Sequence, residues 1–279
     1  MKKYFCLSLF IILVGSLALT SCKKESEENP PPPADTLNVN LGHDKVITEG
    51  DSAILDAGHP GSTYLWSTGA VTQTVTADTT GIYWVKVTNG SKSGNDTIKV
   101  ELSYKLPKIE TDFGSMIIWL YFQTPLHRNN YLNLVSQKFY DSLIFHRVIK
   151  NFVNQGGDPL GTGYGGPGYT IPAEIRSSIK HVYGAVGAAR KSDNVNPEKE
   201  SNGSQFYIVN NKNGTPNLDG NYTVFGIVVD GSNTIDAIAQ VPTNPANDRP
   251  LENVYMTRVS IVYYTAEQLV HDFGFIIPK

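Results

Sequence analysis

The stretch that decides the fold of most of this chain is Phe145-His-Arg-Val-Ile-Lys-Asn-Phe-Val-Asn-Gln-Gly-Gly-Asp158. Its alternation of side chains predicts two short strands, one presenting Arg147 and the other presenting Gln155, each beside apolar neighbours. A permanently charged guanidinium and an amide above an apolar floor suit an uncharged ligand with a carbonyl group to be held. The stretch therefore predicts a binding site for a ligand of that kind.

Two later stretches extend the pattern: Asn202-Gly-Ser-Gln-Phe-Tyr-Ile208 and Leu218-Asp-Gly-Asn-Tyr-Thr-Val-Phe-Gly226. With residues 145–158 they resemble the three signature blocks of the cyclophilins, the peptidyl-prolyl cis/trans isomerases, in that family's order. The resemblance covers residues 107–264 and implies a closed eight-stranded antiparallel β-barrel capped by two helices. It also implies isomerisation of X-Pro bonds without a cofactor, metal or ATP.

The resemblance assigns roles to individual residues. Arg147 matches the catalytic arginine, and Gln155 matches the glutamine that orients it and contacts substrate. Ala189 and Arg190 fall where the family contacts the peptide backbone. The remaining substrate-binding positions wall or adjoin the proline pocket: Phe152, Val153, Gln205, Tyr207, Leu218 and Tyr222. Each apolar member alone is more typical of a core residue, and it is the three-block match that favours the site.

Several positions depart from the family pattern. Val153 replaces a methionine, Tyr207 replaces a phenylalanine and adds a hydroxyl that needs a partner, and Tyr222 stands where histidine is common. Asn217 stands where many eukaryotic members carry a tryptophan that helps to bind cyclosporin, so we expect weak cyclosporin inhibition. The loop over residues 191–200 is longer than usual and rich in charge, which suggests a role in access for particular substrates.

One motif points elsewhere at first sight. Gly161-Thr-Gly-Tyr-Gly-Gly166 fits the glycine string of dinucleotide-binding folds, but that motif needs a helix directly after it. Pro167 and Pro172 follow instead, so we expect a tight loop beside the proline pocket.

Composition narrows the functional classes. The 279 residues suffice for one large and one small domain, and a net charge of −3 argues against a nucleic-acid partner. The only cysteines are Cys6 and Cys22, which excludes a disulfide framework or a cysteine metal site in the folded part. The histidines show no spacing suited to a shared metal, so no metal site is expected.

The amino-terminal segment predicts a lipoprotein. Residues 1–21 combine two lysines with a short apolar run, and Leu19-Thr-Ser-Cys22 resembles the bacterial lipobox, which makes Cys22 the lipidated residue. The alternative is an ordinary signal peptide or marginal anchor with an incidental cysteine. Residues 22–36, charged and then proline-rich, read as a tether. Their acidic residues also resemble surface-export signals of some Bacteroidetes lipoproteins, although a solvated tether is favoured.

Residues 37–103 alternate like short strands between turns, which predicts a small β-sandwich. Trp66 is the expected core aromatic, and Asp78-Thr-Thr-Gly-Ile-Tyr83 resembles the tyrosine corner of immunoglobulin-like domains without their cysteine pair. We expect a spacer here, with a binding role as the alternative.

Further elements are predicted in residues 107–264: a hairpin end and buried strand over 111–121, an amphipathic helix over 126–139, strands over 224–229 and 254–262, and a short helix over 234–239. The tail over 265–279 cannot be assigned.

The sequence as a whole predicts a mainly β isomerase, anchored to the outer membrane of the cell envelope through Cys22 and facing either the periplasm or the surface. Its partners would be proline-containing polypeptides, namely exported proteins during folding. One alternative is a barrel that only captures proline peptides, as a chaperone or adhesin. Another makes the small sandwich the functional part, as a carbohydrate or protein binder.

Overall fold

The computed structural model describes residues 36–278. The predicted signal peptide, the predicted lipidation site at Cys22 and nearly all of the predicted tether lie outside the described residues. Within 36–278, no helix combines the length and the apolar character needed to cross a membrane.

The first unit is all β and has its own core. Its strands are β1 (Lys45–Thr48), β2 (Ala53–Asp56), β3 (Thr63–Trp66), β4 (Thr74–Ala77), β5 (Gly81–Asn89) and β6 (Lys92–Thr111). Strands β3, β5, β6 and β1 form one sheet, strands β2 and β4 form another, and both contribute to one apolar cluster. Trp66 is 1% exposed, which confirms it as a core residue. The Tyr83 hydroxyl donates to the Thr79 carbonyl at 3.2 Å, although membership of the immunoglobulin-like class stays a prediction.

Strand β6 joins the two units without a linker. It runs for 20 residues, pairing with β5 and β1 in its first half and with later strands in its second half. The predicted domain boundary at 103–107 falls inside this strand, so the two units share one continuous backbone element.

The second unit holds the remaining strands and three α-helices. The strands are β7 (Gly114–Leu120), β8 (Arg147–Ile149), β9 (Val153–Gly156), β10 (Thr170–Ile171), β11 (Ala185–Ala188), β12 (Ser201–Asn202), β13 (Phe206–Val209), β14 (Val224–Asp230) and β15 (Met256–Thr265). The helices are α1 (Pro125–Ser136), α2 (Ser232–Ile238) and α3 (Ala266–Phe273), with a single 3₁₀ turn at Pro216–Leu218. Helix α1 stops short of its predicted end because Lys138 takes a positive φ of 58°. The other predicted helix and strands are confirmed to within a few residues.

The sheet is not closed, so the prediction of a closed barrel is wrong. Among the described residues the paired strands form an open series, β3-β5-β6-β7-β14-β11-β13-β9-β8, with β15 beside β6. The segment before β8 meets the segment before β15 mainly through an isolated bridge between Ile144 and Tyr255. The reason is local, because turns over residues 137–142 and a positive φ of 65° at Ser142 interrupt the extended backbone that a ladder needs.

The tail beyond the predicted domain is ordered against the sheet. Thr265 and Gln268 form a reciprocal capping box at the start of α3, and Gly274 ends the helix with a φ of 65°. Leu269 is fully buried in the apolar cluster that also holds Leu106 and Trp119, and α3 packs against β15 and β6.

Candidate active site

The predicted catalytic pair lies on neighbouring strands. In the antiparallel ladder of β8 and β9, Arg147 stands directly opposite Gln155. Residues opposite each other across a ladder share one face of the sheet, and the Arg147 Nη1 donates to the Gln155 Oε1 at 3.5 Å. The period-two interpretation of the sequence is therefore confirmed in its geometry.

The row continues across two more strands. Gln155 stands opposite Tyr207 on β13, and Tyr207 stands opposite Gly187 on β11. A Cβ atom at Gly187 would lie 2.3 Å from the Tyr207 ring. Only glycine leaves room there for the end of the tyrosine side chain, so Gly187 and Tyr207 fit each other by size.

Hydrogen bonds fix the polar end of this row. Gln155 Nε2 donates to Gln205 Oε1 at 3.2 Å, and Gln205 Nε2 donates to the carbonyls of Gly163 and Gly165 at 3.0 and 2.8 Å. On its other side, Arg147 Nε lies 3.3 Å from Asp248 Oδ2. The Arg147 guanidinium thus lies between the Asp248 carboxylate and the Gln155 amide, and Gln205 in turn fixes the Gln155 amide.

These side chains open onto a cavity of about 170 Å³. Nine of the ten predicted catalytic and substrate-binding residues line it: Arg147, Phe152, Val153, Gln155, Ala189, Arg190, Tyr207, Leu218 and Tyr222. The tenth, Gln205, lies behind Gln155 and lines an adjoining cavity of about 670 Å³. That second cavity is walled partly by Lys191, Val195 and Glu200, so the charged loop over 191–200 does shape the neighbourhood of the site.

The rim of the smaller cavity is built by a compact turn. The Tyr222 N–H donates to the Leu218 carbonyl at 3.2 Å, which brings both side chains to one edge. The Arg190 guanidinium lies 4.5 Å from the centre of the Tyr222 ring, and its Nε donates to the Asn221 carbonyl at 2.7 Å. These contacts hold the Arg190 side chain at the rim of the cavity.

The glycine-rich loop wraps around a carboxylate. Asp158 accepts hydrogen bonds from the backbone N–H groups of Leu160 and Thr162, both at 2.8 Å, and from that of Gly163 at 2.5 Å. Burial alone would raise the pKa of Asp158, but these donors lower it on balance. A strand, β10, follows the loop where a dinucleotide fold would have a helix.

Three residues near the site were not found from the sequence: Asp248, His181 and Asp219. Asp248 is distant from Arg147 along the chain, and His181 lies outside the three motifs. His181 Nε2 lies 2.9 Å from the Tyr207 hydroxyl and supplies the partner which that hydroxyl needs. Asp219 lies inside the third signature block, and that position is the one sequence feature that could have indicated its place near the site.

Comparisons with known proteins show the family to which the chain is similar. A family model described as cyclophilin type peptidyl-prolyl cis-trans isomerase/CLD matches residues 106–261. Peptidyl-prolyl cis-trans isomerase-like 3 of Gallus gallus is 40% identical over 158 residues, which cover 55% of this chain and 93% of that protein. Peptidyl-prolyl cis-trans isomerase-like 1 of Gibberella zeae is 40% identical over 159 residues, with the same two coverages.

A solved structure shows the same fold. The cyclophilin-type isomerase of Cryptosporidium parvum, crystallised in the presence of the dipeptide Ala-Pro, matches with a TM-score of 0.52 and 31% identity. The match covers 56% of this chain and 98% of that one. The similarity spans more than half of the chain and nearly the whole of each relative, and the matched range 106–261 contains Arg147 and Gln155. The chain therefore belongs to the cyclophilin-type peptidyl-prolyl cis-trans isomerase family.

Proposed function

We propose that this isomerase accelerates rotation about X-Pro bonds by electrostatic stabilisation of the twisted amide, with Arg147 as the principal donor and Gln155 as its orienting partner. The observation that carries the proposal is the cross-strand pair of Arg147 and Gln155, which lines one cavity together with Phe152, Val153 and Leu218.

The chemistry needs no covalent step. Rotation about a peptide bond faces a barrier of about 18–20 kcal/mol, and X-Pro bonds isomerise unaided in tens to hundreds of seconds. In the transition state the amide loses its conjugation, and the proline nitrogen becomes pyramidal and more basic. A fixed donor near that nitrogen binds the twisted state more tightly than either planar state, which lowers the barrier.

The cavity supplies the binding that makes this donor effective. Phe152, Val153, Leu218 and the ring of Tyr207 offer apolar surface to a proline side chain. An arginine guanidinium presents several hydrogen-bond donors in a rigid planar fork. Because Asp248 and Gln155 hold it from two sides, little reorganisation is needed when the amide twists.

The test is the rate of isomerisation of a short Ala-Pro peptide by the full chain and by two arginine variants. We expect Arg147→Ala to lower kcat/KM by about 100-fold or more, the loss typical of removing one preorganised donor. Arg147→Lys, which keeps the charge but loses the fork, should recover only part of the loss. Arg258→Ala, an exposed arginine of β15, should leave the rate within about twofold. Equal rates for the parent chain and Arg147→Ala would refute the assignment.

We further propose that the protein is a lipoprotein of the cell envelope, with the first unit as an immunoglobulin-like spacer and exported polypeptides as clients. The support is the lipobox-like sequence before Cys22 and the proline-rich segment after it. Mass spectrometry of the amino-terminal peptide tests this, with acyl chains expected on Cys22. An unmodified peptide that begins elsewhere would refute the anchor.

A further inference from the structure

The wall of the small cavity contains a polar group that a proline pocket does not need. The ring of Tyr207 lines the cavity, and its hydroxyl lies 2.9 Å from His181 Nε2, which is buried. The two rings stack with centroids 6.0 Å apart and planes at 15°. A buried hydroxyl without a hydrogen-bond partner destabilises the protein. The Tyr207 ring is therefore favoured in the position where its hydroxyl bonds His181.

His181 is itself held by four hydrogen bonds to three residues. Its backbone N–H and its Nδ1 both bond to Asp219 Oδ1, at 3.0 and 2.7 Å. Its carbonyl accepts from the Thr215 N–H at 2.8 Å, and its Nε2 meets Tyr207. The His181 side chain is 1% exposed, and its ring cannot turn without breaking the hydrogen bonds to Asp219 and Tyr207.

The partners determine the proton positions. A carboxylate only accepts hydrogen bonds, so the proton of the neutral imidazole lies on Nδ1 and points at Asp219. Nε2 is then an acceptor, and the Tyr207 hydroxyl donates to it. Burial lowers the pKa of His181, although Asp219 opposes the shift, which agrees with a neutral ring.

The same contacts reach the rim of the cavity. Asp219 directly follows Leu218, and the Leu218 carbonyl accepts from Tyr222 N–H. Through His181, the ring that walls one side of the cavity is therefore bonded to the turn that carries two other lining residues, Leu218 and Tyr222.

We propose that His181 is a positioning residue for prolyl binding, which joins the Tyr207 wall to the Leu218–Tyr222 rim so that the pocket keeps one shape. This deepens the proposed function and rests on its assignment of the small cavity to proline. His181 acts through Tyr207 and Asp219 and does not itself line the cavity.

A double-mutant cycle in the full chain tests the inference, with the dissociation constant of an Ala-Pro peptide and the split of kcat from KM as readouts. We expect His181→Leu to weaken peptide binding about tenfold, the consequence of an unpartnered buried hydroxyl, with kcat changed far less. In the Tyr207→Phe background the same substitution should cost about twofold or less, because no hydroxyl is left to satisfy. His181→Gln, which can donate to Asp219 and accept from Tyr207, should recover much of the binding.

His127→Leu is the matched control. His127 is also 2% exposed, with its Nδ1 2.7 Å from Glu174 and its Nε2 2.9 Å from the Ser201 hydroxyl. Its replacement should lower stability without any coupling to Tyr207→Phe.

If His181→Leu does not fold, His181→Asn replaces it, since that shorter amide can bond Asp219 but not reach Tyr207. Equal losses of peptide binding in both Tyr207 backgrounds would overturn the inference. The peptide-affinity readout is independent of the Arg147→Ala rate, so failure here is distinguishable from failure of the proposed mechanism.

Discussion

Arg147 depends on residues from three separate parts of the chain. Asp248 holds its Nε, Gln155 holds its Nη1, and Gln205 holds Gln155. Asp248 takes a positive φ of 59°, a conformation that asparagine and aspartate tolerate better than most residues. The position of the guanidinium is thus a product of tertiary structure, and the arginine alone would not define it.

The residue at position 217 bears on how strongly cyclosporin, an inhibitor of the family, binds at the site. Asn217 is exposed in the 3₁₀ turn next to Leu218, so the cavity lacks the aromatic donor that many relatives present there. We expect low-nanomolar cyclosporin to leave peptide isomerisation nearly unchanged. Asn217→Trp should strengthen inhibition at least about tenfold, since a rigid aromatic anchor adds contact area at an interface.

Inhibition titrations of both proteins, with Asn213→Trp on a nearby exposed loop position as control, check this expectation. Full inhibition of the unmodified protein at low-nanomolar drug would contradict it.

At this scale the sequence identified eight site residues inside its three motifs, and the family resemblance added Ala189 and Arg190. All ten line the cavity or the one that adjoins it. It could not identify Asp248 or His181, because their importance arises from contacts made by folding. The sequence shows that the Tyr207 hydroxyl needs a partner, but only the folded chain brings His181, which precedes β11, to it.

At the scale of elements, helix α1 begins with a cap borrowed from a distant loop. The Thr124 side chain makes no capping bond. Instead Glu174 accepts the backbone N–H groups of Leu126 and His127 at 3.1 and 2.9 Å. A buried carboxylate at this end also opposes the positive pole of the helix, and it holds the His127 ring, so one side chain fixes the first turn of α1 to the loop at residue 174.

We expect Glu174→Gln to lower the free energy of unfolding by about 2–3 kcal/mol. A neutral amide would weaken all the hydrogen bonds that the Glu174 carboxylate accepts from Leu126 and His127. Urea denaturation followed by far-UV circular dichroism measures the change. Glu252→Gln, an exposed glutamate, serves as the control and should stay within about 0.5 kcal/mol. Equal stability of the Glu174→Gln variant and the parent would show that the cap is not needed.

Local patterns predicted most elements, and the exceptions have physical causes. Helix α3 was unassigned although Thr265 and Gln268 carry the spacing of a capping box. The barrel was expected to close because the family resemblance implied it. The barrel does not close because a run of turns around Ser142 interrupts the strand. Sequence periodicity indicates which segments are strands, but it does not indicate whether the end of a strand pairs with a distant one.

At the scale of the whole molecule, the two units are coupled by more than their shared strand. Glu49 accepts from the Arg128 guanidinium of α1, and both side chains are nearly buried, at 10% and 12% exposed. Glu49 also accepts from the Lys105 N–H of β6 at 3.1 Å. The small unit is therefore fixed to the isomerase domain by β6 and by a buried ion pair.

Stability should fall as the solution is acidified below about pH 6.5. Burial lowers the pKa of His127, His146 and His181 below the ordinary value of 6.5. The unfolded chain then binds more protons than the folded one, so stability present above pH 6.5 is lost as pH falls through the folded pKa values. Thermal unfolding between about pH 7.5 and pH 5 should show a decreasing Tm, and His127→Gln should flatten the slope. A constant or rising Tm across that range would contradict these assignments.

The central claim is that Arg147 stabilises the twisted amide rather than merely binding the peptide. The most direct measurement is the cis–trans exchange rate of an Ala-Pro peptide bound at saturation, followed by NMR exchange spectroscopy in the full chain and in Arg147→Ala. We predict that both proteins bind the peptide while exchange in the variant slows by about 100-fold or more. Undiminished exchange on the saturated variant would contradict it.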